Sequence, residues 1–276
     1  MPEVHAKLSA SSSKRWLACP KSVALEGGFP ETTTPYAEEG TRAHEMGELI
    51  LRNKILGEIV DVPKWMIEDL QIPDLAWNPR SGDLEALILM SPNLDLKEML
   101  SFVMGYVNKC LQIYNNSLEQ YKDTVAYIEQ RLDYSKYAPE GFGTGDFVVI
   151  GGNRITVIDL KFGRGVKVDV VDNPQLKLYA LGAYEIVDFI YDIEEIENII
   201  VQPRIANGIS EFVIKTPELL EWALNYLKPR ALLAYHDKGD FQAGEHCKFC
   251  KANGRCRAQA MDIIKTLEKY GGKANV

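Results

Sequence analysis

Two short apolar runs in the middle of the chain are separated by a Gly-Gly-Asn cluster. The runs cover Phe147–Ile150 and Ile155–Leu160, and both are rich in β-branched residues. Apolar, β-branched runs that flank a tight-turn sequence are typical of a β-hairpin. We therefore expect two antiparallel strands here, with Gly152 and Asn153 as the turn residues.

The register of this hairpin brings acidic and basic side chains together. With the turn at Gly152 and Asn153, antiparallel pairing places Asp146 opposite Asp159. Lys161 lies two positions after Asp159, so on a strand both side chains point to the same face. Two adjacent carboxylates are costly to bury unless a cation or a proton neutralises them. The hairpin therefore predicts a divalent-metal site with a lysine that orients or helps to deprotonate an attacking water. The alternative is an exposed hairpin end that carries a surface ion pair.

The remaining hydrophobic pattern changes between helical and strand periods along the chain. It predicts helices over 37–55, 96–121, 174–186 and 216–235, a strand over 124–132, and a second hairpin formed by 197–204 and 209–215. Residues 57–95 show few clear periods. We interpret them as an insertion or as a helical elaboration of the domain.

The composition is that of an ordinary globular protein, with 46% hydrophobic and 25% charged residues. A chain of 276 residues fits one large domain or two small ones. No apolar run approaches the ~20 residues that span a bilayer, and the N-terminal residues lack the apolar core of a signal peptide. We therefore expect a cytoplasmic protein that has no membrane partner.

The net charge of −8 argues against a broad basic surface of the kind that coats DNA non-specifically. It does not exclude a local basic groove around a metal site. Such a groove could draw on Lys161, Arg164 and Lys167, and on Lys14 and Arg15 if they fold nearby.

Five cysteines in a cytoplasmic chain are better explained by metal binding or packing than by disulfides. Cys247, Cys250 and Cys256 follow a C-x2-C-x5-C pattern, Cys19 lies far away near the N-terminus, and Cys110 falls within a helical pattern. Metal ligation is the leading interpretation of the C-terminal three. Four thiolates suit tetrahedral zinc, and the C-x2-C spacing is common to zinc and iron–sulfur sites.

Four further residues could belong to a site. His44 lies on a predicted helix, although a lone helical histidine is more often a surface or satisfied core residue. Glu129 lies on the predicted strand 124–132 and could face either the metal site or solvent. Gln175 and Tyr179 are four residues apart, and hence on one face of their predicted helix.

Taken together, these stretches resemble the RecB-type branch of the PD-(D/E)xK nuclease superfamily. More narrowly, they are similar to its iron–sulfur members, such as the CRISPR-associated exonucleases and the AddB-like helicase-nucleases, and to phage and prophage relatives. The matching motifs, in the family's order, are C-P at Cys19, G-T-R-A-H around His44, G-D at Asp146, D-L-K at 159–161, Q-x-x-x-Y at 175–179 and C-x2-C-x5-C at 247–256. Many relatives have Glu where D-L-K has its Asp.

The resemblance implies a single nuclease domain over residues 1–276. Its fold would be α/β, with a restriction-endonuclease-like mixed central sheet flanked by helices. His44, Asp146 and Asp159 would ligate Mg²⁺ or Mn²⁺, with the Leu160 backbone carbonyl nearby. An imidazole ligand shifts the preference toward Mn²⁺.

The resemblance also implies roles for the remaining motif residues. Lys161 would position the attacking water and stabilise charge on the phosphate, while Gln175 and Tyr179 would hold the DNA strand or the lysine. The reaction would be phosphodiester hydrolysis by a metal-activated water.

For the cysteines, the resemblance implies a 4Fe–4S cluster held by Cys19, Cys247, Cys250 and Cys256, with Zn²⁺ as the alternative. The cluster-binding region would comprise Cys19 and residues 241–260. A metal there would join the two ends of the chain and close a long loop, which stabilises a fold by about 5 kcal/mol in the cross-link model.

These expectations describe a metal-dependent DNA exonuclease that acts on DNA ends or single strands in phage or host recombination, with a helicase or recombinase as a possible partner. One alternative is a catalytically inactive nucleic-acid-binding relative. The other is a zinc-stabilised interaction protein.

Overall fold

A central β-sheet carries the strands predicted from the hydrophobic pattern. The computed structural model describes residues 6–30, 33–72 and 79–270. The strands are β1 (Val125–Asp133), β2 (Phe142–Gly151), β3 (Arg154–Leu160), β4 (Glu195–Val201) and β5 (Ile209–Lys215), and they lie in that order in one sheet. β3 and β4 are parallel, whereas the other neighbouring strands are antiparallel. Helices flank this mixed sheet, so the fold class is α/β, in the arrangement expected of a restriction-endonuclease-like fold.

The helices fall close to the predicted segments. The α-helices are α1 (Ser13–Ala18), α2 (Ser22–Glu26), α3 (Pro35–Leu51), α4 (Lys64–Leu70), α5 (Leu84–Met90), α6 (Leu94–Gln120), α7 (Pro174–Val187), α8 (Thr216–Trp222), α9 (Lys228–Tyr235) and α10 (Arg257–Tyr270). π-Helical turns at Arg52–Leu56 and Ala223–Leu227 extend α3 and join α8 to α9, and 3-10 turns lie at Ser81–Asp83 and Glu245–Phe249.

The predicted register of the central hairpin is confirmed. Pairing of β2 with β3 runs from Gly151 and Arg154 at the turn to Phe147 and Ile158. The next position along each strand is an aspartate, which brings the two carboxylates to the same end of the hairpin. The second predicted hairpin also forms, but β4 ends at Val201 rather than at residue 204.

The two faces of the sheet carry separate hydrophobic clusters. On one face, Val148 and Val157 pack with residues of α7, α8 and α9. On the other face, Val149 and Ile158 pack with residues of α3, α4, α5 and α6. Residues 57–95, predicted as an insertion or a helical elaboration, contribute α4 and α5 to this second cluster, and residues 73–78 of that stretch lie outside the described part. Among the described helices, none has the length and apolar character that crossing a bilayer requires.

Candidate metal centre

The two aspartates of the central hairpin are buried at the end of β2 and β3. Asp159 is 1% exposed and Asp146 is 7% exposed. The backbone N–H of Leu160 donates a hydrogen bond to Asp146 Oδ2 at 2.7 Å. This contact fixes one oxygen of Asp146 and leaves Oδ1 directed toward other ligands. The Leu160 carbonyl as a metal ligand stays a prediction.

His44 and Glu129 join Asp146 to form a potential metal site. His44 Nδ1 lies 3.4 Å from Asp146 Oδ1 and 3.7 Å from Glu129 Oε1. One ligand atom from each of the three side chains lies within 4.8 Å of the other two. His44 comes from α3, which packs on one face of the sheet, and the carboxylates come from β1 and β2. An imidazole with two carboxylates suits Mn²⁺ and similar divalent ions.

Glu129 is the candidate ligand whose orientation the sequence left open. Its backbone has φ of 48°, a left-handed value inside a β-strand. The pairing of β1 with β2 includes Ile128 with Phe147 and Gln130 with Gly145, and the intervening Glu129 is unpaired in that ladder. A non-glycine residue held at positive φ stores strain and is often found at functional sites. The same register places Glu129 opposite Asp146, but the eight-residue connection between β1 and β2 hides this register from sequence analysis.

Asp159 takes part in a second group of contacts, beside the first. Its Oδ1 accepts a hydrogen bond from Gln175 Nε2 at 3.2 Å. Its Oδ2 is buried 2.7 Å from Lys161 Nζ without the geometry of a hydrogen bond. Lys161 Nζ donates to Gln175 Oε1 at 3.0 Å, and Gln175 Nε2 also donates to the hydroxyl of Tyr179 at 3.1 Å. Gln175 therefore holds both the lysine and the aspartate, whereas the role of Asp159 as a metal ligand stays a prediction.

Local backbone features bring α7 to this position. The Asn173 side chain accepts hydrogen bonds from the backbone N–H groups of Gln175 and Leu176, which starts the helix directly beside Lys161. A Cβ built at Gly143 of β2 would lie 2.7 Å from the Tyr179 ring. Glycine is therefore required there for Tyr179 to pack against the strand.

The ionisable groups of the site perturb one another strongly. Burial opposes protonation of His44, but the carboxylates of Asp146 and Glu129 outweigh it and raise the His44 pKa well above its usual value. Burial would raise the pKa of Asp146, yet the charges of His44 and Lys161 and the Leu160 N–H lower it. Burial raises the pKa of Asp159, with Asp146 adding to the effect and Lys161 opposing it.

The donor set fits a divalent cation. His44, Glu129 and Asp146 form one group of ligand atoms, and the buried Asp159 lies beside it, paired with Lys161. One oxygen of Asp159 is buried without a hydrogen bond. A divalent ion would offset the repulsion among the carboxylates, and it would displace the proton that they favour on His44.

Cys19, Cys247, Cys250 and Cys256 line one small cavity between the N-terminal helices and the C-terminal region. All four are free thiols, and the backbone N–H of Gln242 donates to Cys19 Sγ at 3.4 Å. In the described part of the chain, no three cysteine sulfurs lie within 4.8 Å of one another.

The electrostatics of these thiols follow their burial. Burial raises the pKa of Cys19, and interactions with Cys247 and Cys256 raise it further. Burial also raises the pKa of Cys250. A bound metal would reverse this preference, because a coordinating thiol is deprotonated. Cys110 is buried in the second hydrophobic cluster, as its helical pattern predicted.

Comparison with known proteins gives a family match over nearly the whole chain. The model of a family described as "Protein of unknown function (DUF2800)" matches residues 5–274. Among solved structures, the chain is similar to SSO0001 at 14% identity, with a TM-score of 0.31 over 90% of this chain and 96% of that one. It is also similar to a presumed exonuclease from Eubacterium rectale at 11% identity, with a TM-score of 0.33 over 86% of this chain and 98% of that one. At TM-scores below 0.5, neither likeness supports an inference about chemistry.

Proposed function

We propose that this chain, which belongs to the DUF2800 family, is a metal-dependent nuclease that hydrolyses phosphodiester bonds in DNA. One observation carries the proposal. Ligand atoms of His44, Glu129 and Asp146 converge within 4.8 Å, next to an ion pair between Lys161 and the buried Asp159. A module that only binds nucleic acid has no need for this combination.

In this proposal each side chain has a defined task. His44, Glu129 and Asp146 hold Mg²⁺ or Mn²⁺, with Asp159 as a further ligand. A bound divalent ion lowers the pKa of a water and stabilises charge on a phosphate. Lys161 donates to the attacking water or to a phosphate oxygen, and Gln175 fixes its ammonium group. The imidazole ligand favours Mn²⁺ over Mg²⁺.

The finer assignment is an exonuclease that acts on DNA ends or single strands. Its support is the order of the motifs along the chain, from Cys19 to Cys256. The same resemblance suggests work in phage or host recombination in the cytoplasm, with a helicase or recombinase as partner.

For the cysteines we propose a 4Fe–4S cluster rather than zinc. The four thiols line one cavity, which supports a common ligand. The preference for iron over zinc rests on the motif resemblance, because the C-x2-C spacing is common to both kinds of site. The cluster would be structural, because its cavity is lined by none of the residues of the metal centre.

The function is tested with purified protein and labelled single- and double-stranded DNA in Mn²⁺, Mg²⁺ or EDTA. We expect degradation that needs the metal and is abolished by Asp159→Ala and Lys161→Ala, while both variants keep the fold by circular dichroism. Lys64→Ala, an exposed lysine on α4, serves as the charge-matched control and should remain active.

The alternatives give different results in this assay. A catalytically inactive relative binds DNA but does not cleave it in the presence of either Mn²⁺ or Mg²⁺. A zinc-stabilised interaction protein does neither and is colourless, whereas a 4Fe–4S protein is brown. Full activity of Lys161→Ala would rule out the mechanism.

A further inference from the structure

A continuous groove leads away from the metal centre. Its first part, a cavity of about 300 Å³, begins at Lys161 and Gln175. Its second part, a cavity of about 510 Å³, ends at Trp222 and Tyr226. The two parts share the wall residues Lys14, Val168, Asn173, Pro174 and Phe249. A molecule that enters at Lys161 can therefore extend past α1 toward α8.

The charges of this groove suit an anionic ligand. No aspartate or glutamate is among the described residues that line the first cavity, whereas Lys14, Arg15 and Lys161 are. Lys14 and Lys167 are exposed, and within the described ranges neither makes an ion pair. Two aspartates line the second cavity, Asp169 and Asp172. Lys177 pairs with the Asp172 carboxylate at 2.6 Å, and Asp169 Oδ1 accepts a hydrogen bond from the Val171 backbone N–H at 3.0 Å. The groove therefore offers two cations that are available to phosphate groups.

An exposed aromatic ring stands where the two cavities join. Phe249 is 66% exposed, although it lies in the turn between Cys247 and Cys250. Its backbone is held in place, because Arg15 Nη1 donates to the Phe249 carbonyl at 3.0 Å. Lys248 Nζ lies 5.6 Å from the centroid of the Phe249 ring, which is otherwise open to solvent. An exposed ring with lysines beside it is a combination that binds unpaired bases and their phosphates.

A second cleft beside the metal centre is less suitable for a nucleic-acid strand. It lies between α3, α6 and the segment after β3, and its volume is about 450 Å³. Its arginines are paired, Arg204 with Glu39 at 2.8 Å and Arg164 with Glu98 at 3.2 Å. Three guanidinium groups line this cleft, and they face five carboxylates. The carboxylates belong to Glu38, Glu39, Asp69, Asp95 and Glu98. An approaching phosphate would meet a net negative wall.

We propose that the groove from Lys161 to Tyr226 binds a single-stranded segment of nucleic acid beyond the phosphate that reacts. Phe249 stacks on an unpaired base, and Lys14 and Lys167 contact the flanking phosphates. Paired bases in a duplex cannot offer a free face to this ring, so the groove prefers single strands. The direction of the strand into the metal centre rests on the proposed nuclease function, but the binding itself does not require catalysis.

The binding test uses fluorescence anisotropy of labelled oligothymidine with the full-length protein in EDTA. Stacking on an aromatic side chain accounts for about 1–3 kcal/mol per base, so Phe249→Ala should weaken binding roughly 5-fold or more. Phe249→Tyr should retain the affinity. Phe189→Ala removes a comparably exposed ring, 79% accessible and outside the groove, and should change nothing.

The charge contacts are tested by the dependence of binding on salt. Lys14→Ala combined with Lys167→Ala should reduce the slope of log Kd against log salt by about 1.4, since each single-strand phosphate contact contributes about 0.7. Lys64→Ala should leave the slope unchanged. Equal affinity of Phe249→Ala and Phe189→Ala for oligothymidine would refute the proposed role of the groove. Tighter binding of a duplex than of a single strand by the wild type would also refute it.

A small substrate separates this proposal from the nuclease proposal. Lys161→Ala should lose hydrolysis of bis(p-nitrophenyl) phosphate, whereas Phe189→Ala, outside the groove, should hydrolyse it at the wild-type rate. If the wild type hydrolyses nothing but binds single strands through Phe249, the nuclease proposal fails and the groove stands. Iron content and melting temperature of Phe249→Ala must match the wild type, so that loss of binding reports the ring and not the cysteine site.

Discussion

At the scale of single residues, the candidate site divides into side chains that the sequence could place and one that it could not. Asp146 and Asp159 follow from a two-residue turn, because such a turn determines the register of both strands. The position of Glu129 cannot be predicted in this way, because the long β1–β2 connection does not determine how those two strands pair. Its positive φ is also invisible in a strand-like pattern. Sequence analysis therefore finds the carboxylate pair but leaves open whether Glu129 faces the metal site or solvent.

Glu129 gives the sharpest prediction at this scale. Glu129→Gln keeps the size of the side chain but removes a charged ligand, and even residues that only support metal ligands change affinity by about 10- to 100-fold. We expect Mn²⁺ affinity, measured by isothermal titration calorimetry, to fall at least about tenfold. Glu140→Gln is a matched control, because Glu140 is another glutamate at positive φ, in the β1–β2 connection. Unchanged Mn²⁺ affinity in Glu129→Gln would exclude Glu129 as a ligand.

At the scale of elements, periodicity predicts which segments are helical or extended better than it predicts where they end. β4 ends at Val201, because Pro203 lacks a backbone N–H. The chain after β4 is instead anchored by the Gln202 side chain, which accepts from Val168 N–H at 2.7 Å. The helix predicted over 216–235 forms with a π-helical turn in its middle. Such irregularities depend on tertiary contacts, which the hydrophobic pattern does not contain.

One tertiary contact ties together two elements of the site. Arg204 follows β4, its side chain is 4% exposed, and its guanidinium pairs with Glu39 of α3 at 2.8 Å. The same group lies 4.6 Å from the ring of Phe162, the neighbour of Lys161. It therefore links α3, which carries His44, to the end of β3.

Replacing this arginine should loosen that link. Arg204→Ala removes a packed side chain as well as its charge, so we expect the free energy of unfolding to fall by about 2 kcal/mol. Urea denaturation measures the change. Glu39→Gln should cost less, because Glu39 is 37% exposed and solvent stabilises its carboxylate. If neither variant lowers the free energy of unfolding measurably, the ion pair between Arg204 and Glu39 does not stabilise the fold.

At the scale of the whole molecule, the two ends of the chain meet through more contacts than the cysteine pattern predicts. Lys7 Nζ donates to the Tyr235 carbonyl at 2.7 Å. Glu26 accepts from the Lys251 backbone N–H at 2.8 Å. Polar contacts between distant segments leave no periodic pattern in the sequence. The cysteine spacing is therefore the sequence feature that predicts contact between the two ends of the chain. The polar contacts also imply that a cluster would not hold the ends together alone.

The proposed cluster should therefore stabilise the fold by less than loop closure alone suggests. Closing so long a loop stabilises a fold by about 5 kcal/mol when the two ends of the loop are otherwise free. In this chain, polar contacts already restrain the two ends. We expect Cys250→Ser to lose the brown colour and the bound iron and to lower the melting temperature. Cys110→Ala is the matched control, because this cysteine is buried away from the cavity: it should keep colour and iron although its core loses a sulfur. Cys250→Ser with unaltered iron and melting would refute a cluster at this site. Zinc in place of iron in the wild type would assign the cavity to zinc.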